Sequence, residues 1–271
     1  GSTQQPTAST PSPNRVALDQ GRERMRPNFF LRLLELADTH EPLVFDARHV
    51  FVFFSREQEQ VDRLWNMVVQ RLSFDMTNPV MTVRLHLLAL LLTSDRIQPK
   101  LPWPTLPHIA RNLVTAMEQA PPHKDETETV WLSSALLSLC GILSASEWSE
   151  GYAAVPGDAT ERTAFLDEMR PMLLTLMLRI LEHSSQLSDG SLLGVARMLV
   201  LLTRDPRTAA SMVEQRALPL VLRPLLTRRR FQRASYQRLV IIVLRHMVES
   251  GGSLLPLLTN ELHVWMNQSS R

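Results

Sequence analysis

The chain has 271 residues, of which 44% are hydrophobic and 21% charged, with a net charge of +2 and a pI near 9.1. That balance excludes an intrinsically disordered chain and gives no reason to expect nucleic acid as a partner. Nine glycines are few for a sheet-rich enzyme with phosphate loops, and one cysteine excludes an intrachain disulfide or a cysteine-built metal site.

Residues 1–14 are rich in Ser, Thr, Gln and Pro, cannot bury a core and are expected to be a disordered tail. Gly1-Ser2 in place of a starting Met reads as the scar of a cleaved tag, so the chain is expected to be an excised piece of a longer protein. Residues 15–271 read as one helical segment. Pro27 opens a stretch with Phe30, Leu33, Leu34 and Leu36, and Pro42 closes it. Val50 to Phe54 is the one β-like run; short and flanked by helices, it reads as buried helix or linker. Ser55 is expected to cap the next helix, with Glu57 and Glu59 in its first turn. Val61, Leu64, Trp65, Val68 and Leu72 then recur at three- and four-residue steps, which is one buried helical face.

Asn78-Pro79 starts a further helix to about Thr93. Prolines 99, 102, 104 and 107 make a stiff connection, and a helix from about Thr105 carries Ile109, Leu113 and Met117. After the polar break Pro121 to Glu126 come Trp131, Leu132, Ala135, Leu136, Leu139 and Leu143. The loop 146–160 is a candidate sub-boundary. Phe165, Met169, Leu173, Leu176 and Ile180 continue the pattern, and Pro171 predicts a restart or a kink. Ser188-Asp189 and Asp205-Pro206 are capping signals for two more helices. Pro219 and Pro224 bracket another. A long helix over 231–249 is stopped by Gly251-Gly252, and Leu254 to Met266 is expected to be the last. The fold class is therefore all-α, an irregular armadillo- or HEAT-like helical-repeat solenoid, because the array shows no repeat of fixed letter period.

Chemistry is sparse along this pattern. Cys140 lies in an apolar helical face with no base near it in sequence, which describes a buried structural thiol. The eight histidines lack zinc-site spacing, and His246 is expected to lock two helices together by a hydrogen bond. Asp125, Glu126 and Glu128 read as a solvated charge run. No catalytic, cofactor-binding or metal-binding residue is assigned. The densest charge cluster, Arg228, Arg229, Arg230 and Arg233, is the candidate partner-binding site. Phe231 and Tyr236 beside it are the residues a single-stranded nucleic-acid groove would use. No apolar run is long enough to span a bilayer, and a lone cysteine fits the cytosol or nucleus.

Two stretches carry a family resemblance. One is Leu199-Val200-Leu201-Leu202-Thr203-Arg204-Asp205, followed by Ala209-Ala210 and Leu218-Pro219-Leu220; the other is Ile242-Val243-Leu244-Arg245-His246-Met247-Val248-Glu249. Together with Trp131-Leu132 before Leu136-Leu137, they resemble the armadillo-like scaffold of the giant HECT-type E3 ubiquitin ligases, the group of the fungal trigger-of-mitosis ligase and mammalian Mule. The resemblance implies a non-catalytic arc of a curved solenoid. Such an arc helps to recruit substrates for a HECT domain whose catalytic cysteine lies elsewhere in the parent chain. Its expected partners are protein substrates or other segments of that ligase, with no cofactor. An independent armadillo-like adaptor is the alternative, and a helical-repeat nucleic-acid binder ranks below both.

Overall fold

In a computed structural model, the structure describes residues 29–55, 57–75, 77–119, 130–147, 158–227 and 233–250. Among these residues the chain is all-helical, with eleven α-helices, two single 3₁₀ turns and no strand. The helices are α1 (Phe29–Thr39), α2 (Leu43–Phe54), α3 (Gln58–Val69), α4 (Pro79–Leu92), α5 (Leu106–Gln119) and α6 (Val130–Glu147). They continue with α7 (Asp158–Glu182), α8 (Asp189–Leu202), α9 (Pro206–Glu214), α10 (Leu218–Thr227) and α11 (Arg233–Glu249). The tail 1–14, the centre of the loop 146–160 and the segment 254–266 lie outside the described residues.

Short polar side chains set three of the helix starts. The Asn78 carboxamide oxygen accepts from the Val80 amide at 3.0 Å, and Pro79 follows in the first turn, where a missing N–H costs nothing. Ser188 does the same for Ser191 at 3.1 Å and Asp205 for Thr208 at 2.9 Å, the latter again followed by proline. α3 departs from expectation: its cap is Glu57, in a reciprocal box with Gln60. Ser55 instead ends α2, its amide donating to the Phe51 carbonyl at 2.9 Å, and its side chain is buried. The β-like run Val50 to Phe54 is the last turn and a half of α2.

Of the proline expectations in the second half, the one for Pro219 and Pro224 needs correction. α7 runs through Pro171 without a restart, and the Thr175 hydroxyl donates to the Pro171 carbonyl at 3.0 Å. Pro219 and Pro224 do not bracket a helix; both lie within α10. Pro219 is in its first turn, where its ring is tolerated.

Helices two apart in the chain, or three apart where α9 intervenes, lie side by side. α2 packs on α4, α4 on α6, α6 on α8, and α8 on α11; on the other side α5 packs on α7, and α7 on α10. α9 is inserted against α7 and α11, and α1 against α2, α3 and α4. The central helices are apolar nearly all round because they have neighbours on several sides. α4 buries Met81, Val83, Leu85, Leu87, Leu88, Ala89, Leu91 and Leu92; α8 buries Leu192, Val195, Ala196, Met198, Leu199 and Leu202. Small residues let them approach closely. A Cβ added at Gly141 would sit 2.6 Å from Leu92 Cβ, and one at Gly194 would sit 3.0 Å from Leu136 Cβ. The Ser138 hydroxyl lies within reach of the carbonyls of Ser134, at 2.9 Å, and of Leu85 across the α4–α6 seam, at 3.2 Å.

Candidate functional site: arginines on helix ends and edges

Several of the described arginines fall into three kinds of setting. In the first, a guanidinium reaches across to the free carbonyls at the end of another helix. Arg179 of α7 donates to the Glu118 carbonyl at the end of α5, at 3.1 Å. Arg223 of α10 donates to the Glu182 carbonyl at the end of α7, at 3.2 Å. Arg84 of α4 donates to the Arg71 carbonyl, just past the end of α3, at 2.5 Å. The last turn of a helix leaves carbonyls unpaired and carries the negative end of its dipole, so a planar cation satisfies both.

In the second setting arginines form ion pairs between helices. Arg84 also grips Asp38 of α1 with two bonds of 3.1 and 2.9 Å, while Arg71 stands 3.6 Å from the same carboxylate. Leu34, Ala37, Val68, Val83 and Leu87 line a cleft of about 10 Å³ beside them, room for one water. Glu147, at the end of α6, takes Arg204 at 2.9 Å and Arg170 at 3.8 Å, tying the turn after α8 to α7. Arg111 of α5 holds Glu168 of α7 through bonds of 2.9 and 2.7 Å, and this hydrogen-bonded pairing keeps the Glu168 carboxyl below its usual range. Beside it Trp103 meets Phe165 edge-on, and Arg162 lies 4.8 Å over the Trp103 ring. Partial burial pushes the Asp205 carboxyl up, but the Thr208 hydroxyl and amide, with Arg170 and Arg207, bring it below the ordinary carboxylate value.

The third setting is an exposed helix edge. On α11 Ile241 and Val248 are 55% and 44% exposed, with half-buried Leu244 between them at three- and four-residue steps. Arg238 and Arg245, three residues before and four after Ile241, border this stripe and are exposed. Arg245 pairs with Glu249 at 2.7 Å on the same helix. The opposite flank of α11 is occupied: His246 Nδ1 lies 2.9 Å from the Thr203 hydroxyl after α8, the interhelical lock expected of it.

Of the sequence-predicted cluster, Arg228, Arg229 and Arg230 lie outside the described residues, and Arg233 is the first residue of α11. Tyr236 is not free to stack on a base. It is fully buried and its hydroxyl donates to the Val221 carbonyl at 2.9 Å, joining α10 to α11. The capping arginines escaped the sequence reading because their partners are 13 to 61 residues away. The α11 edge had a legible signal, a local charge sum. Residues 195–250 hold eleven arginines against three carboxylates, whereas residues 1–194 hold seventeen basic residues against twenty-three acidic ones.

Cys140 is buried between α-helices, and desolvation pushes its thiol up to about 12, with Arg197 too weak an influence to offset it. Among the described residues no group of three His, Cys, Asp or Glu side chains is placed to hold a metal ion, and no helix is long and apolar enough to cross a membrane. Compared with known proteins, the chain matches no family model, no curated protein and no solved structure.

Proposed function

We propose that the chain is a non-catalytic scaffold segment of a giant HECT-type E3 ubiquitin ligase, an armadillo-like solenoid arc that presents protein substrates for ubiquitination. The observation that carries the scaffold part is the side-by-side packing of helices two apart in the chain, or three apart across the inserted α9, in the lines α2–α4–α6–α8–α11 and α5–α7–α10. Stacked helix pairs in which each unit touches chiefly its neighbours are how α-solenoids bury their cores. Arginine caps recurring from α7 to α5 and from α10 to α7 support the same reading, since a repeated unit repeats its joints. The ubiquitin part rests on the resemblance, which covers residues 60–266 with its distinctive letters concentrated in 195–250. In this reading the thiol that accepts ubiquitin lies in another part of the parent chain, Cys140 serves packing alone, and the protein works in the cytosol or nucleus.

The test has two arms. The parent reading frame is expected to encode a HECT domain downstream; an adaptor with no such domain would overturn the ubiquitin link while leaving the scaffold intact. Incubation of this chain with a ubiquitin-charged conjugating enzyme is expected to give no thioester, and a reducible ubiquitin adduct lost in Cys140→Ser would sink the non-catalytic reading.

A further inference from the structure

We infer that the arginine-edged stripe of α11 is a docking surface for an acidic amphipathic helix of a partner protein. This rests on reading the chain as a partner-binding scaffold, and is independent of the ubiquitin link. Ile241, Leu244 and Val248 form a stripe two turns long, the length on which a partner helix seats anchors at positions i, i+3 and i+7. The stripe is exposed, though Tyr236 and His246 fasten both ends of the same helix to its neighbours, so the surface is preformed and its side chains need little ordering.

Charge selects the occupant. Arg238 and Arg245 stand along one border of the stripe, and the sequence over residues 195–250 carries a large excess of arginine. An acidic helix gains on approach from the whole field and on docking from the two border guanidiniums. Glu249 competes for Arg245, but both members of that pair are largely exposed, 73% and 56%, and such a pair exchanges readily for a carboxylate in better geometry. A neutral or basic helix would find the same apolar stripe without either gain. Segment 254–266 of this chain is apolar but has one carboxylate, Glu261, so it lacks the complementary charge.

The experiment uses the whole chain and a fluorescein-labelled peptide of repeated Leu-Glu-Glu-Leu-Leu-Glu-Glu, with a scrambled peptide of equal composition that spreads its leucines round the helix. Polarisation is expected to show the amphipathic peptide binding at least tenfold more tightly than the scrambled one. The binding should weaken severalfold between 50 and 300 mM salt, roughly as screening of exposed charge requires. Ile241→Asp and the pair Arg238→Glu with Arg245→Glu should each lose tenfold or more, with unchanged helicity by circular dichroism. Equal binding of both peptides, or variants that bind like the parent, would overturn the proposal. So would a single-stranded oligonucleotide that displaces the peptide at lower concentration. Self-association abolished by Ile241→Asp would assign the stripe to a second copy, and a tenfold rise in peptide binding in Leu258→Asp with Leu262→Asp would assign it to the chain's own C-terminal segment. Neither result bears on whether a HECT domain lies downstream.

Discussion

Arg216 occupies a conformation that belongs to glycine. Its φ is +53°, directly after α9, where its amide donates to the Val213 carbonyl and the Ala217 amide to the Met212 carbonyl, both at 3.0 Å. These are the paired bonds of a Schellman ending, whose left-handed residue is normally glycine because a Cβ crowds the carbonyl there. The Arg216 side chain is exposed and makes no bond that would compensate. Arg216→Gly is therefore expected to stabilise the fold by about 1 kcal/mol, read as a higher midpoint in urea. The opposite holds at Gly141. A methyl there would press on Leu92 Cβ, an atom tied to the backbone of α4, so the two helices must separate. Gly141→Ala is expected to cost roughly 1–3 kcal/mol, while Gly190→Ala, whose new Cβ meets nothing nearer than 3.6 Å, should be close to neutral.

Titration provides the other test at this scale. Burial lowers the pKa of His86, half-buried and edge-on to Phe45 at 5.0 Å, against a smaller upward pull from Glu41. It lowers that of His246 as well, where Glu249 pulls up and Arg204 and Arg245 push down. In both, the folded state disfavours the proton. Their contribution to stability is complete above the unfolded value of about 6.5 and is lost as pH falls through the folded values. The thermal midpoint should drop between pH 7.5 and 5.5, and His86→Gln should flatten that drop. Unchanged slope in the variant would show the loss to come from elsewhere. Cys140 behaves oppositely: a thiol pushed to about 12 stays neutral in the fold, so its contribution is lost as pH rises from about 9 towards 12. In the native chain it should resist iodoacetamide at pH 8 and react only on unfolding.

At the scale of the helix, what was legible in the sequence was what local chemistry decides. Asn78-Pro79, Ser188-Asp189 and Asp205-Pro206 mark their helix starts because a cap bonds two or three residues onward, and the stripe Val61, Leu64, Trp65, Val68 is buried as its spacing requires. Ser55 misled because a serine ends a helix as readily as it begins one, and Glu57 had its box partner Gln60 in reach. Of the restart or kink that Pro171 predicted, the restart does not occur, because the neighbours of a 25-residue helix hold it together past one missing bond. The candidate site was legible only as arginine density. That Arg223 ends on the last turn of α7 depends on which helices meet. Arg223→Ala should cost about 0.3–1 kcal/mol, since the bond lies at the surface, and Arg223→Lys should recover only part, because a point charge meets the dipole without the planar fork.

For the molecule as a whole, the order of packing decides how it opens. α4 has α2 and α6 beside it, α6 has α4 and α8, and α8 has α6 and α11. Along that line, α2 and α11 each have one such neighbour among the described residues. If units couple chiefly to their neighbours, a terminal unit detaches by breaking one interface, whereas an inner unit must break two. Opening free energy should then rise from the ends to the middle. Amide hydrogen exchange is expected to be slowest in α6 and the α6-facing turns of α4 and α8, and faster in α2 and α11, although α11 is as long as any helix but α6 and α7. Gly141→Ala, placed in the slow centre, should speed exchange throughout that centre, while Arg223→Ala should do so only in α7 and α10. A single core shared by all helices would instead give one common slowest rate from α2 to α11. Such a uniform profile would rule out nearest-neighbour coupling, and with it the solenoid reading of the fold.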